Sequence, residues 1–218
     1  MHNKQDIIIK AERTCLLFKA MRLTSLVPLL VTDIFIPTLL AFLCFKIGIN
    51  EIAIKTARQL YGLFMPIMSC WWVIFAHKQI YEDAGAEVLA VSKSKGRFSD
   101  LIIFFTLGVL NALVSATAWF FIFDGFFLYW VKLLLVSLFF FGIICFTASI
   151  TKSTTAVFVA VTLYLILNIF PLMQTVSFPL YYSPEADTDI FFCKVPLAVV
   201  GILLIVAVKV LLKKRQHL

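Results

Sequence analysis

The sequence predicts an all-α polytopic membrane protein. Its expected parts are six transmembrane helices, an N-terminal amphipathic interfacial helix and a short charged helix on the cytoplasmic side. Three observations carry this prediction. Of the 218 residues, 62% are hydrophobic and 14% charged, with a mean hydropathy of +1.01. A soluble domain is nearer half apolar and a quarter charged. Apolar runs long enough to cross a bilayer recur six times, and Lys and Arg lie mostly on one side of them.

A hydrocarbon core of about 30 Å takes roughly 20 helical residues. A helix satisfies its own backbone polar groups, as lipid demands. Residues 25–46, 58–77, 101–123, 126–149, 154–173 and 195–212 meet the length requirement. The fifth run closes on NIFPLM, where Pro171 stops or kinks the helix. Residues 4–22 are different. Ile8, Ala11, Cys15 and Phe18 recur at helical spacing while Lys10, Arg13 and Lys19 interrupt them. That pattern fits a helix lying among the headgroups; a helical extension of the first span is the other reading. An uninterrupted signal-peptide core with a cleavage site is not evident in this stretch.

Orientation follows from the cations. Fourteen of the 19 fall in the N-terminal segment, the 78–97 loop, the 150–153 turn and the C-terminus; Lys46, Lys55, Arg58 and Lys194 face the other way. Lys132 lies inside the fourth run, close enough to its outer end to snorkel. Both termini are therefore expected in the cytoplasm. The net charge of +7 is mostly this bias and gives no reason to invoke nucleic acid. Residues 1–218 read as one transmembrane domain, with an aromatic and acidic extracellular loop at 174–194 before the last span. The five cysteines show no metal-binding spacing. A disulfide between Cys44 and Cys193, both near the outer surface, is left open.

The segment between the second and third spans is the unusual one. In IYEDAGAEVLAVS, Ile80, Ala84, Val88 and Val91 share one face, while Glu82, Asp83 and Glu87 occupy others. Lys93, Lys95 and Arg97 follow, placing cations where a helix C-terminus favours them. The pattern reads as a short amphipathic helix below the membrane. It is either a solvated turn obeying the positive-inside bias or a rigid knob for a cytoplasmic partner.

Taken with the six runs, this segment resembles the permease subunits of ABC type-2 exporters. The residues that carry the resemblance are Glu82, Asp83, Gly85, Ala86, Glu87, Val88 and Leu89, followed by Lys93, Lys95 and Arg97 before the span at Leu101. Two features depart from the family pattern. A single Leu89 stands where relatives have several, and VSKSKGR replaces a proline-bearing turn. The resemblance implies that residues 81–92 form a coupling helix, with Glu82, Asp83, Gly85, Glu87 and Leu89 gripping a separate ABC ATPase subunit. ATP and Mg would belong to that partner, with no cofactor in this chain. In agreement, no GxxxxGKS/T run occurs in the sequence. It also implies a dimer with a second permease copy or homologue in a bacterial plasma membrane, exporting a hydrophobic or amphipathic substrate. An antimicrobial peptide is the cargo class it favours.

The family's second and fifth spans line its pathway. Here Tyr61, Phe64, Met65, Met68, Trp72 and Phe75 make a bulky face on the second span, as adaptable Met and broad rings suit apolar cargo. Phe158, Thr162, Leu165 and Asn168 are the corresponding candidates on the fifth. Ordinary helix packing explains the same pattern. Asp33, between Pro28 and Pro37 near the inner third of the first span, is the one intramembrane acid singled out. It reads as a contact for a cationic cargo, as a proton site, or as a carboxylate paired with a neighbouring span. Asn111 and Asn168 read as helix glue. Histidine occurs only at positions 2, 77 and 217, and neither HExxH nor GxSxG is present, so an enzyme is not expected. The alternatives to an exporter are a non-transporting scaffold that anchors a cytoplasmic partner and, more remotely, a channel or secondary carrier.

Overall fold

A computed structural model describes residues 12, 14–17, 19, 21–48, 51–81, 97–120, 126–169 and 194–215. All regular structure among these residues is helical. We number the α-helices α1 (Ile36–Ile47), α2 (Glu51–Tyr81), α3 (Arg97–Phe120), α4 (Phe126–Thr151), α5 (Thr154–Ile169) and α6 (Val195–Arg215). Ahead of α1 lie a 3-10 stretch, Arg22–Leu26, and a π-helical stretch, Leu29–Phe35. The two continue into α1, so Leu23–Lys46 is one helical rod of mixed winding. Among the described residues four helices are long and apolar enough to cross a membrane: Leu23–Lys46, Glu51–Gln79, Phe98–Ser115 and Trp130–Thr151. Thr154–Ile166 and Val195–Leu211 are shorter apolar helices. The chain is a helical membrane protein by these measures.

The elements depart from the sequence expectation in physically simple ways. Helix α2 begins at Glu51 rather than at 58. Its first turns carry Glu51, Lys55, Arg58 and Gln59, which depress hydropathy without disfavouring helix. Ala53 and Ala57 on those turns are buried. Of the expected interfacial helix at 4–22, only part is described. There the buried side chains are Leu17 and Met21, an i, i+4 pair, while Cys15 is exposed. The protein-facing side is thus not the Cys15 face. Lys132 is buried instead of snorkelling, and Lys194 is buried as well. Cys44 is a free thiol. The coupling segment 82–96 and most of the 174–194 loop lie outside the described residues.

Two helices occupy the centre. Of its most apolar window, α2 has 71% of residues buried and α4 has 56%, against 33% for α3 and 22% for the first span. The outer members therefore present apolar faces outward, as lipid contact requires. Leu30, Ile34 and Phe35 on the first span and Leu203, Val206 and Val210 on α6 are examples. Lipid tails are as apolar as leucine, so association here rests on close packing and interhelical hydrogen bonds. Glycines allow close backbone approach. A Cβ on Gly142 of α4 would lie 2.5 Å from the Gly201 oxygen of α6, and one on Gly201 would lie 2.7 Å from the Leu138 oxygen. A Cβ on Gly108 of α3 would lie 2.0 Å from the Ser69 oxygen of α2.

Around these contacts a large core joins Val73, Ile74, Phe104, Phe140, Ile144, Val157 and Leu197. A smaller one joins Ile36, Leu40, Tyr61, Met65, Ala112 and Leu133. Edge-on rings fix the helix pairs: Phe139 and Phe140 of α4 meet Tyr164 of α5 at 5.1 and 5.5 Å between centroids. Phe105 of α3 stacks on Phe141 of α4 at 4.3 Å. The α4–α5 joint is tight. Lys152 takes a left-handed φ of 53° and its N–H closes α4 on the Ala148 oxygen at 2.9 Å. Ser153 Oγ then accepts the Ala156 N–H at 3.4 Å, capping α5.

Candidate functional site

The first span is the irregular element, and its irregularity is locally explained. Neither 3-10 nor π winding follows the α pattern of carbonyl pairing, and π turns concentrate at functional positions. In hydrocarbon every displaced carbonyl needs a donor. Neighbouring spans supply them. Trp71 Nε1 donates to the Thr24 oxygen at 2.9 Å and Trp72 Nε1 to the Ser25 oxygen at 2.8 Å. Ser115 Oγ of α3 donates to the Thr32 oxygen.

Thr32 is the centre of this arrangement. It is fully buried, and its hydroxyl accepts the Asn111 amide at 3.0 Å. Its one proton has two acceptors in reach, the Pro28 oxygen at 2.7 Å and Asp33 Oδ1 at 2.9 Å. It can serve only one at a time. Asn111 thus glues spans together, as its position suggested. Asp33 sits on the other side of the same turn and is exposed. It lies ten residues from Leu23 and thirteen from Lys46, the ends of the span. At 1.5 Å per residue that is about 15 Å from the Leu23 end of the rod, whose midpoint falls between Ile34 and Phe35.

The bulky face of α2 is packed against neighbouring helices. Tyr61, Met65, Met68 and Trp72 are buried within the chain, and Phe64 is half-buried. Beside Met65 a void of about 10 Å³ lies between α2, α3 and α4, bounded by Ser69, Ala112, Trp130, Leu133 and Ser137. That is room for about one water. Its nearby hydroxyls are already committed: Ser69 Oγ donates to the Pro66 oxygen at 2.9 Å and Ser137 Oγ to the Leu133 oxygen at 2.8 Å.

An open concavity lies on α5. Thr155, Phe158, Val159, Thr162, Leu163 and Ile166 line a groove of about 390 Å³. Phe158 and Thr162, both expected from the sequence, are in it. Leu165 is half-buried against the large core. Asn168 lies on the last turn of α5, its side chain outside the described residues. Phe158 links the groove to α2, its ring 5.9 Å from Trp71 and 6.0 Å from Phe75. Glu82, Asp83, Gly85, Glu87 and Leu89 lie outside the described residues. Among the described residues no cluster of His, Cys, Asp and Glu could hold a metal ion. The sequence reading missed Thr32, Ser115, Trp71 and Val159. Only the tryptophan pair carried a signal, as adjacent indole donors in an apolar run need acceptors.

No family model, curated protein or solved structure matches the chain. The geometry and the residues themselves carry the functional reading.

Proposed function

We propose that this chain is the membrane-spanning permease subunit of an ATP-driven exporter, working with separate ABC ATPase subunits and a second permease copy or homologue. The observation that carries the proposal is the continuity of α2 with the charged cytoplasmic segment. The most enclosed helix of the bundle runs unbroken from Glu51 to Tyr81 and leads directly into the Glu82, Asp83, Gly85, Glu87, Leu89 pattern. A continuous helix packed on α1, α3, α4 and α5, with Pro66 in its interior, is suited to carry a push from that segment into the other spans. Six spans and cytoplasmic termini in a bacterial plasma membrane complete the reading. Residues 81–92 act as the coupling helix. The pathway runs along the α5 groove, where Phe158 and Thr162 meet a hydrophobic or amphipathic cargo such as an antimicrobial peptide. ATP and Mg belong to the partner, and this chain does no chemistry of its own.

The enclosure of Tyr61, Met65, Met68 and Trp72 favours a second reading, a non-transporting scaffold that anchors a cytoplasmic partner. Reconstitution into vesicles with the ATPase encoded by an adjacent reading frame separates the two. Vanadate-sensitive transport of an amphipathic peptide supports the exporter. Stable ATPase binding without transport supports the scaffold.

A further inference from the structure

The first span combines two features that conflict in hydrocarbon: a carboxyl group and an outward position ten residues into an apolar helix. The groups on the protein-facing side of its π turn are settled, since Thr32 is buried and engaged with Asn111 and Ser115. Asp33 is the exception. Among the described residues its one hydrogen bond is from Thr32, a proton that the Pro28 oxygen also draws. Around it the exposed surface is Leu29, Leu30, Ile34 and Phe35. An ionised group there is costly and marks a functional position unless something of opposite charge meets it. The buried lysine of α4, Lys132, is enclosed by the protein and so is not presented on this surface.

We infer that Asp33 is the anchor of a lipid-facing site for amphipathic molecules that carry a single basic group, an ammonium or guanidinium on an apolar body. The inference deepens the exporter reading and rests on it for its purpose; the binding itself needs no ATPase. The argument is charge complementarity within an apolar frame. Asp33 supplies the only formal charge on the exposed face between Leu29 and Phe35. The surrounding Leu, Ile and Phe side chains take the apolar body, as ligand sites with few polar groups do. Asn111 holds Thr32; when the Thr32 proton serves Asp33 rather than the Pro28 oxygen it engages Oδ1 alone, which leaves Oδ2 for the ligand. A neutral amphipath would gain the apolar contact and leave the carboxylate unmet. An anionic one would be repelled.

The test uses the full chain in nanodiscs of zwitterionic lipid, with dicyclohexylcarbodiimide as an apolar reagent for carboxyl groups reached from the bilayer. Mass spectrometry reads the adduct on the peptide bearing Asp33. The adduct forms on the native chain and on Asp33→Glu, and is lost from that position in Asp33→Asn. Dodecylammonium is then added as the probe, with dodecanol as its neutral counterpart. At ten times its apparent Kd, mass action leaves about one site in ten free, so adduct formation falls about tenfold with the ammonium and little with the alcohol. Equal protection by dodecanol overturns the inference, because apolar packing alone then explains it. Absence of the adduct from the native chain overturns it too, because Asp33 is then covered by protein such as a second copy. Protection without vanadate-sensitive transport leaves this site standing and removes the exporter reading; transport without protection does the reverse.

Discussion

Replacing Gly142 by Ala tests whether backbone-to-backbone contact holds the last helix to the bundle. The new Cβ would sit 2.5 Å from the Gly201 oxygen and 2.7 Å from the Gly201 Cα. Both atoms are backbone, so no side chain can swing aside. To reach an ordinary contact of 3.4 Å the helices must part by about 0.9 Å, which loosens the packing along the pair. Overpacking of this kind costs about 1–3 kcal/mol. The assay is unfolding in mixed micelles titrated with dodecyl sulfate and followed by circular dichroism, with Val199→Ala on the exposed side of α6 as the control. Gly201→Ala is expected to cost a similar amount, since its Cβ would meet Leu138 and Phe139 backbone at 2.7 Å. The double variant should cost less than the sum, because the first separation makes room for the second methyl. A Gly142→Ala chain as stable as the native one, within about 0.3 kcal/mol, would refute the reasoning.

Gly108→Ala should destabilise at least as much as Gly142→Ala in the same titration, because its Cβ would lie 2.0 Å from the Ser69 oxygen. Trp71→Phe and Trp72→Phe keep a ring and lose the indole donor, leaving the Thr24 or Ser25 oxygen unmet. Each should cost about 1 kcal/mol, and a neutral effect of both would show that the 3-10 stretch finds other donors. Glu87→Lys should leave insertion intact and uncouple transport from ATP hydrolysis in the reconstituted complex; normal transport in that variant removes the coupling role assigned to Glu87.

The sequence made the helices legible because bilayer length and apolar composition are local properties. Residues 126–149 and 195–212 fall within helices Phe126–Thr151 and Val195–Arg215. The start of α2 was not legible, since Glu51, Lys55 and Arg58 lower hydropathy while Ala53 and Ala57 still bury against the bundle. The mixed winding of the first span was invisible for a related reason. Pro28 and Pro37 flag a disturbance, but the donors that sustain it, Trp71, Trp72 and Ser115, come from other spans. Asp33 stood out by its charge, while its outward direction needed the bundle. The face of α2 shows the limit of periodicity. Tyr61, Met65, Met68 and Trp72 do share a side, and that side is packed. A stripe of large apolar residues looks the same whether it lines a path or fills a core.

The charged segment after α2 is proposed to work in the cytoplasm against an ATPase. The direct measurement places a single cysteine there by Glu87→Cys, with the five native cysteines replaced, and follows labelling by a membrane-impermeant maleimide on intact cells and on inverted vesicles. A bifunctional maleimide then reports contact with the co-expressed ATPase. The account predicts labelling in inverted vesicles alone and a cross-link to the ATPase. Labelling on intact cells, or cytoplasmic labelling with no cross-link, would contradict it.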